Sequence, residues 1–377
     1  ALQPGEVLVD VAIEDDGLAA YRVGTEGFEV VFEPMDVATL AAPELVDVRQ
    51  RQPMLLALVR THAGLAQWAT RVTSDWAHGR NLLLVPDGPL YNLPLHEIRI
   101  GDNPWHTRQP IGLLPCAAWL LRAARMQSRA CLVAGNSAGD LHGAESECAA
   151  VANELGTTAL TGARCSRAAL ETALQSGPLD IVHLAVHGRG DTQQGVRASL
   201  LLADGLDGTE WVPFEALAQR QWQANLVVLS GCSTGVSGPL HGHEMVSVAR
   251  AALESGAASV LASLWPVADQ AAAAFMVAFH ESVAQQRRHG DCDLRMALDE
   301  ARRSVLTQGL PPDEIGQPRD GRGVDPTARG TAVATSQAVA GDGLDAVAAF
   351  VLIGRPTLDR QGLPEEATPA GLAGRPD

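Results

Sequence analysis

No lysine occurs in the 377 residues, and all 28 basic side chains are arginine. A GC-rich genome produces this bias together with many Ala, Gly and Arg. Selection against lysine modification, or against self-cleavage after lysine, produces it as well. One chemical consequence is direct: a phosphate-binding P-loop needs its lysine, so the glycine-rich stretch Gly231–Gly238 is not one. A basic surplus is missing too. The 44 acidic residues give a formal charge of −16, the reverse of the basic stripe a duplex-binding protein carries. Long apolar runs are also lacking. The best candidate, Ala249–Trp265, is broken by Arg250, Glu254, Ser255 and Gly256 and falls short of the ~18 apolar residues of a membrane span. The six cysteines, Cys116, Cys131, Cys148, Cys165, Cys232 and Cys292, form no CxxC pair and no dense disulfide pattern. No secretory signal opens the chain, so a reducing, cytoplasmic location is expected. Ala1 stands where Met would open a chain, as in a processed protein or a piece of a longer one.

What is present belongs to a globular protein. Apolar residues at 46% and charged residues at 19% suffice for a core, and the length allows about two domains. Val7–Ile13, Leu18–Val23 and Phe28–Glu33, separated by Asp15-Asp16-Gly17 and by Gly24 and Gly27, predict a β-meander. Leu55, Leu58, Val59, Leu65, Trp68 and Val72 recur at helical spacing and predict one amphipathic helix over 53–76. The pattern then changes to short continuous apolar runs at Asn81–Pro86, Ala130–Gly135, Asp180–Val186, Asn225–Ser230 and Ser259–Leu264. Helical stretches alternate with them at Pro115–Arg125, Ala144–Leu155, Ser166–Leu174 and Glu244–Glu254, and further helices follow at Ala268–Gln285 and Cys292–Thr307. Strands without alternation are buried on both faces, which predicts an α/β fold on a mostly parallel sheet flanked by helices. Residues 308–343 read as a mobile insertion. Ala346–Gly354 reads as a last strand or helix packing back on the core, and the tail from Arg355 as frayed.

Two strand ends carry chemistry. The run Asp180–Val186 leads into His187-Gly188, and Asn225–Ser230 leads into Gly231-Cys232-Ser233-Thr234-Gly235. Ligands of open parallel sheets bind at strand carboxyl ends, so an imidazole and a thiol are delivered to one edge. The spacing (232 − 187 = 45) is close to the roughly 50 residues between His and Cys in caspase-type sequences. A thiol is largely protonated at neutral pH, and a neighbouring imidazole both generates the thiolate and protonates a leaving amine. The amides of Gly188 and Cys232 are candidates for an oxyanion hole. Gly135-Asn136-Ser137-Ala138-Gly139 matches a G-x-S-x-G elbow, but Gly139, Asp140 and Gly143 intervene before the next helix, so a loop is expected. His183 is expected to pack in the sheet, since i and i+4 on a strand are roughly 13 Å apart and cannot share a metal with His187. His241, His243 and Glu244 lack a metal-binding frame and read as a solvated loop leading into a helix.

The ordered segments IVHLAVHG, SLLLADG, LVVLSGCSTG and EMVSVARAALESGAASVLASLWPV resemble the CHAT domain, a caspase-like clan CD cysteine peptidase domain often found beside tetratricopeptide repeats. LVPDGPLYNLPLHEI and AAFVLIG are similar to the same pattern, so the likeness covers most of residues 1–356. The resemblance implies a caspase-like sheet with His187 and Cys232 as catalytic dyad and Gly188 beside the oxyanion site. It also implies an organisation in which residues 1–125 are a degenerate companion subdomain, 126–356 the peptidase subdomain containing the 308–343 insertion, and 357–377 a flexible tail. Gly231 stands where alanine is common in the family, and Ser233 where glutamate is common. The loop Trp265-Pro266-Val267-Ala268-Asp269 is expected beside the first specificity pocket, with Asp191, Asp204 and Asp269 as candidate acids for a basic P1 residue. Alternatively, Asp269 caps the helix starting at Ala268–Gln270. The implied function is a cysteine endopeptidase of bacterial signalling, defence or cell death, acting on a protein or peptide and controlled by a sensor or tetratricopeptide-repeat partner. No metal or cofactor, no nucleic acid and no membrane is expected to take part. The competing expectation is a catalytically silent scaffold that binds a partner protein.

Overall fold

In the computed structural model the described residues are 2–41, 48–121, 127–191, 197–205, 208–218, 222–231, 248–265, 267–309 and 347–358. The chain opens with the expected meander: β1 (Glu6–Glu14), β2 (Gly17–Gly24) and β3 (Gly27–Pro34) pair antiparallel through tight turns. The single helix expected next is two, α1 (Val48–Thr61) and α2 (Ala63–Val72). Between them His62 leaves helical geometry, and its Nδ1 accepts a hydrogen bond from the Leu65 amide at 3.2 Å, so the ring caps α2. Apolar spacing runs on through this break, which is why periodicity alone joins the two. At the other end of α2, the buried Arg22 of β2 donates to the carbonyls of Arg71, Val72 and Ser74 at 3.0–3.1 Å. Arg71 and Val72 are in the last turn of α2, whose carbonyls lack the usual partner one turn on, so one guanidinium ties the helix end to the meander.

Beyond these lie β4 (Asn81–Val85), β5 (Ile111–Leu113), β6 (Cys131–Gly135), α3 (His142–Glu154), β7 (Leu160–Thr161), α4 (Arg167–Gln175) and β8 (Leu179–Ala185). Then come β9 (Gly188–Asp191), β10 (Arg197–Ala203), β11 (Thr209–Pro213), β12 (Ala224–Leu229), α5 (Val248–Glu254), β13 (Ser259–Ser263), α6 (Asp269–His289), α7 (Leu294–Gln308) and β14 (Phe350–Gly354). The helix expected over Pro115–Arg125 is a short 3-10 turn at Ala117–Leu121 among the described residues. Of the insertion expected over 308–343, Gln308 closes α7 and Gly309 caps it, and the rest, with most of the expected tail, falls outside the described residues. No described helix is long and apolar enough to cross a membrane.

Eleven strands form one sheet in the order β3-β2-β1-β4-β5-β14-β13-β12-β8-β6-β7. Strands β8 and β12 are buried along their whole length, as their unbroken apolar sequences require. The mostly parallel sheet has one internal discontinuity. β1, β4, β5 and β14 run parallel to one another, and β13, β12, β8, β6 and β7 likewise. The two sets meet at an antiparallel seam, where β14 pairs with β13 (Val260↔Ile353, Leu261↔Leu352). The carboxyl ends of β6, β8, β12 and β13 therefore share one edge, and those of β4 and β5 lie on the other. A separate antiparallel sheet, β9-β10-β11, follows directly from the end of β8.

Strand β14 ends on Gly354, whose φ of +110° favours glycine and where an added Cβ would lie 2.4 Å from the Ala258 carbonyl oxygen. Gly354→Ala is expected to destabilise the chain by about 1–3 kcal/mol. The check is a lower urea midpoint at unchanged m-value, and an unaltered midpoint would contradict the tight approach at the seam.

Candidate active site

His187 stands two residues beyond β8, with its carbonyl accepting from the Leu201 amide at 2.9 Å. Its ring is buried, and Nε2 lies 3.0 Å from both carboxylate oxygens of Asp140. Burial pushes the Asp140 carboxyl up, but the hydrogen bond and charge of His187 outweigh it and hold the group below its ordinary range. With Nε2 donating to a carboxylate, the neutral imidazole presents Nδ1 as a bare acceptor. That atom is buried and has no hydrogen-bond partner among the described residues. One side of the ring is fixed and the other is unpartnered among the described residues.

Asp140 sits in the loop that follows β6, and Asn136 builds that loop. Its φ of +46° is the left-handed conformation that asparagine tolerates better than most residues. Its side-chain oxygen accepts from the Leu141 amide at 2.9 Å, and its side-chain nitrogen donates to Glu145 at 3.2 Å. Its main-chain N–H is bonded to the Ala185 carbonyl at 2.9 Å, tying the loop to the strand that carries His187. Ser137, centre of the G-x-S-x-G match, donates its hydroxyl proton to the Leu201 carbonyl at 2.6 Å, and the next helix begins at His142. This is a loop, as the spacing predicts.

The far side of the loop is held by Asp269, which is buried at the first turn of α6. Its carboxylate accepts from the amides of Gly143 and Ala144 at 2.5 and 3.0 Å, so it caps α3, a different helix from its own. An added Cβ at Gly143 would lie 2.7 Å from the Asp269 carbonyl oxygen, so the two helix ends meet too closely for any other residue. Asp269 thereby fixes the chain three residues after Asp140. Neither Asp140 nor Asn136 was singled out by the sequence reading. The signal was available: Asp140 follows a strand that pairs in parallel with the strand of His187, and strand carboxyl ends are where ligand groups collect.

β12 lies beside β8 on its other side, in register Leu184↔Leu229. The Ser230 amide donates to the Leu184 carbonyl at 2.9 Å, and the Ser263 hydroxyl donates to the Gly231 carbonyl at 2.7 Å. The backbone is thus fixed up to the residue before Cys232. Cys232 itself, Ser233, His241, His243 and Glu244 lie outside the described residues. Gly188 is buried and opens β9, and Asp191 closes that strand. Trp265 is buried just past β13, on the edge that carries His187. Asp204 lies in the turn between β10 and β11, where it accepts from the Gly208 amide at 2.9 Å. Of the other thiols, burial pushes Cys131 up to about 11 and Cys165 and Cys292 up to about 12. Cys148 is buried and Cys116 exposed.

His183, four residues earlier and within β8, is packed in the sheet as expected. Its Nε2 lies 2.8 Å from Glu147 and its Nδ1 3.1 Å from Nε2 of His280, all three residues being buried. Burial, reinforced by His183, drives His280 well below the ordinary histidine range.

The CHAT domain family matches residues 52–338. The chain belongs to that family. No curated protein matches this CHAT domain by sequence. Its fold is similar to that of gingipain R of Porphyromonas gingivalis, an Arg-specific cysteine proteinase, with a TM-score of 0.50, 11% identity, and 79% of this chain and 68% of that chain covered. It is also similar to Saccharomyces cerevisiae separase in its complex with securin, with a TM-score of 0.56 at 10% identity. That likeness covers 94% of this chain but only 30% of separase. The CHAT domain therefore has the caspase-like fold of clan CD cysteine peptidases.

The folded-state pKa of Asp140 is lowered, so its contribution to stability is full above the unfolded value of about 3.9 and is lost as pH falls through the folded value. Asp140→Asn is expected to lower the thermal midpoint at neutral pH, and the gap to the parent is expected to close in acid. Thermal unfolding followed across that range checks this, and a gap that persists undiminished at the acid end would contradict the pairing with His187.

Proposed function

We propose that this chain is a cysteine endopeptidase acting on a protein substrate, with Cys232 as nucleophile and His187 as general base and acid. One observation carries the reading: a buried imidazole at a strand end, pinned through Nε2 by Asp140 with Nδ1 unpartnered, beside the strand that runs into Gly231-Cys232. His187 Nδ1 takes the thiol proton, and the thiolate attacks the substrate carbonyl carbon. The amides of Gly188 and Cys232 hold the developing oxyanion. As the tetrahedral adduct collapses, the imidazolium gives its proton to the leaving amine, and the acyl thioester remains on Cys232. A water then attacks the thioester carbonyl, losing its proton to Nδ1, and the released thiolate recovers it. Asp140 stays ionised throughout and favours the imidazolium that forms in both halves of the cycle.

Asp269, with both carboxylate oxygens on main-chain amides, is read here as a support for Asp140 rather than a pocket acid. The basic P1 preference then rests on Asp191 or Asp204, with Trp265 as a wall. A family setting in which such domains answer to a sensor or a tetratricopeptide-repeat partner favours the same kind of control here, in bacterial signalling, defence or cell death.

Labelling with a thiol-reactive peptide probe tests the dyad. Cys131, Cys165 and Cys292 are poor competitors because burial keeps their thiols protonated at neutral pH, and Cys148 is buried away from a probe, so a Cys116→Ser background leaves Cys232 as the expected target. Cys232→Ala is expected to abolish labelling, and His187→Ala to slow it ~10²–10⁴-fold. Asp140→Asn is expected to slow it less and to change its pH profile, with Asp140→Glu recovering part of the rate. Labelling that survives Cys232→Ala, spread over the remaining cysteines, would favour a silent scaffold instead. Among peptides differing only at P1, cleavage after Leu or Met as fast as after Arg would remove the acidic pocket.

A further inference from the structure

The meander edge of the sheet is built unlike a solvent-facing edge. β3 is the terminal strand, and nothing pairs with its outer side among the described residues. Phe28, Val30 and Phe32 alternate onto one face and are 66%, 48% and 38% exposed. Tyr21 of β2 joins them and stacks on Phe28 with ring centroids 6.5 Å apart. On the opposite face Val31 and Glu33 are buried. The acids of this strand already have partners inside the subunit. Glu33 pairs with Arg71 at 2.9 Å, and Glu29 holds Arg22 and accepts from the Trp76 indole at 3.1 Å.

Edge strands are ordinarily guarded by lysines, bulges, inward-pointing charges or prolines that block pairing with another chain. Of these, β3 has only Pro34 at its end and the acids Glu29 and Glu33 on its inner-side face, and both acids are neutralised by arginines of the same subunit. It pairs with β2 without a bulge from Gly17↔Pro34 to Gly24↔Gly27, it carries no lysine, and its one proline is its last residue. Exposed aromatics on an eight-residue edge without lysine or bulge, whose acids are already neutralised, are a surface suited to strand pairing.

We propose that β3 is a self-association edge, pairing antiparallel with β3 of a second copy about Val30. The register follows from side-chain chemistry, because directly opposed residues share a face and like charges placed opposite each other are destabilising. Centring on Val30 sets Phe28 opposite Phe32 and Glu29 opposite Val31. Centring on Glu29 sets that carboxylate on its twin, and centring on Val31 sets Glu29 opposite Glu33. Of these three, only the Val30 register joins apolar to apolar with no acid facing an acid. A two-fold axis through that pair makes the contact isologous and closed, so it ends at a dimer. A basic extended peptide is a poorer occupant, because the carboxylates it would seek are already held by arginines. The inference is independent of the chemistry at His187.

Sedimentation equilibrium of the full chain tests it. The expected mass is twice 39.6 kDa, with the dimer fraction rising with protein concentration. Added salt is expected to strengthen the dimer, since two copies each of charge −16 repel and salt screens that repulsion. Val30→Lys is expected to halve the mass with the circular dichroism unchanged. In a Cys116→Ser background, Val30→Cys is expected to form a disulfide-linked dimer on oxidation, and Tyr21→Cys, one strand further in, is not. A chain that stays at 39.6 kDa at every concentration and salt, or a dimer that survives Val30→Lys, overturns the proposal. If Val30→Lys fails to fold, the Val30→Cys crosslink decides alone, and its absence overturns the proposal. Monomers that capture an added arginine-rich peptide would assign the edge to a peptide and overturn self-pairing.

Discussion

The whole sheet depends on the strand that closes its seam. β14 comes from the far end of the described chain, yet it lies between β5 and β13 and is the only described strand joining the two oppositely directed sets. It is held by buried charge as well as by its ladder. Arg302 of α7 donates to the Phe350 carbonyl at 2.7 Å and pairs with Asp299 at 2.7 Å. Asp299 in turn lies 3.2 Å from His106, and His106 faces Glu97, which Arg60 of α1 binds at 2.8 Å. Burial raises the Glu97 carboxyl, but His106, His96 and Arg60 together hold it well below its usual range. Such a chain of buried charges is stabilising only when every member is in place, because a lone buried ion costs several kcal/mol. The network therefore makes the seating of β14 conditional on the correct placing of α1, α7 and the segment around 95–107.

Much of this architecture is legible in the residues. β4, β8, β12 and β13 announce themselves by continuous apolar runs, and the meander by its Asp/Gly turns. What is hidden is whatever depends on partners remote in the chain. The antiparallel seam cannot be read from AAFVLIG, since a strand buried on both faces looks the same in either direction. The break at His62 leaves no mark in the periodicity, because the cap is a ring nitrogen on a histidine rather than one of the usual capping residues. Asp269 stands at the start of a helix and so resembles that helix's own cap, whereas it serves α3, over a hundred residues earlier. At the site, His187 and Cys232 stand out as single residues at strand ends. Asp140 does not, because it directly follows a sequence that imitates a serine elbow.

β8 shows how a buried strand accommodates polar groups. Asp180, at its start, accepts from both terminal guanidinium nitrogens of Arg287 at 2.6 and 3.0 Å and from the Asn225 side-chain amide at 3.0 Å. His183, in its middle, is engaged through both ring nitrogens. His187, beyond its end, is engaged through one. The first two arrangements fix helix against strand through buried hydrogen bonds with Arg287 and His280 of α6. The third leaves an acceptor in a dry environment, where hydrogen bonds and charges act most strongly. Two fixed neighbours on the same strand give that acceptor a rigid base.

The position of β14 also bears on how the molecule is made. During synthesis β5 and β13 leave the ribosome well before their common neighbour, and at roughly 5–20 residues per second they wait many seconds with open, apolar edges. Either edge could meanwhile be captured by the wrong strand. Nascent chains of this fold should accordingly lean on holding chaperones until the final strand emerges, and translational pausing shortly before residue 350 should lower the yield of folded protein more than the same pause placed after β14 is complete.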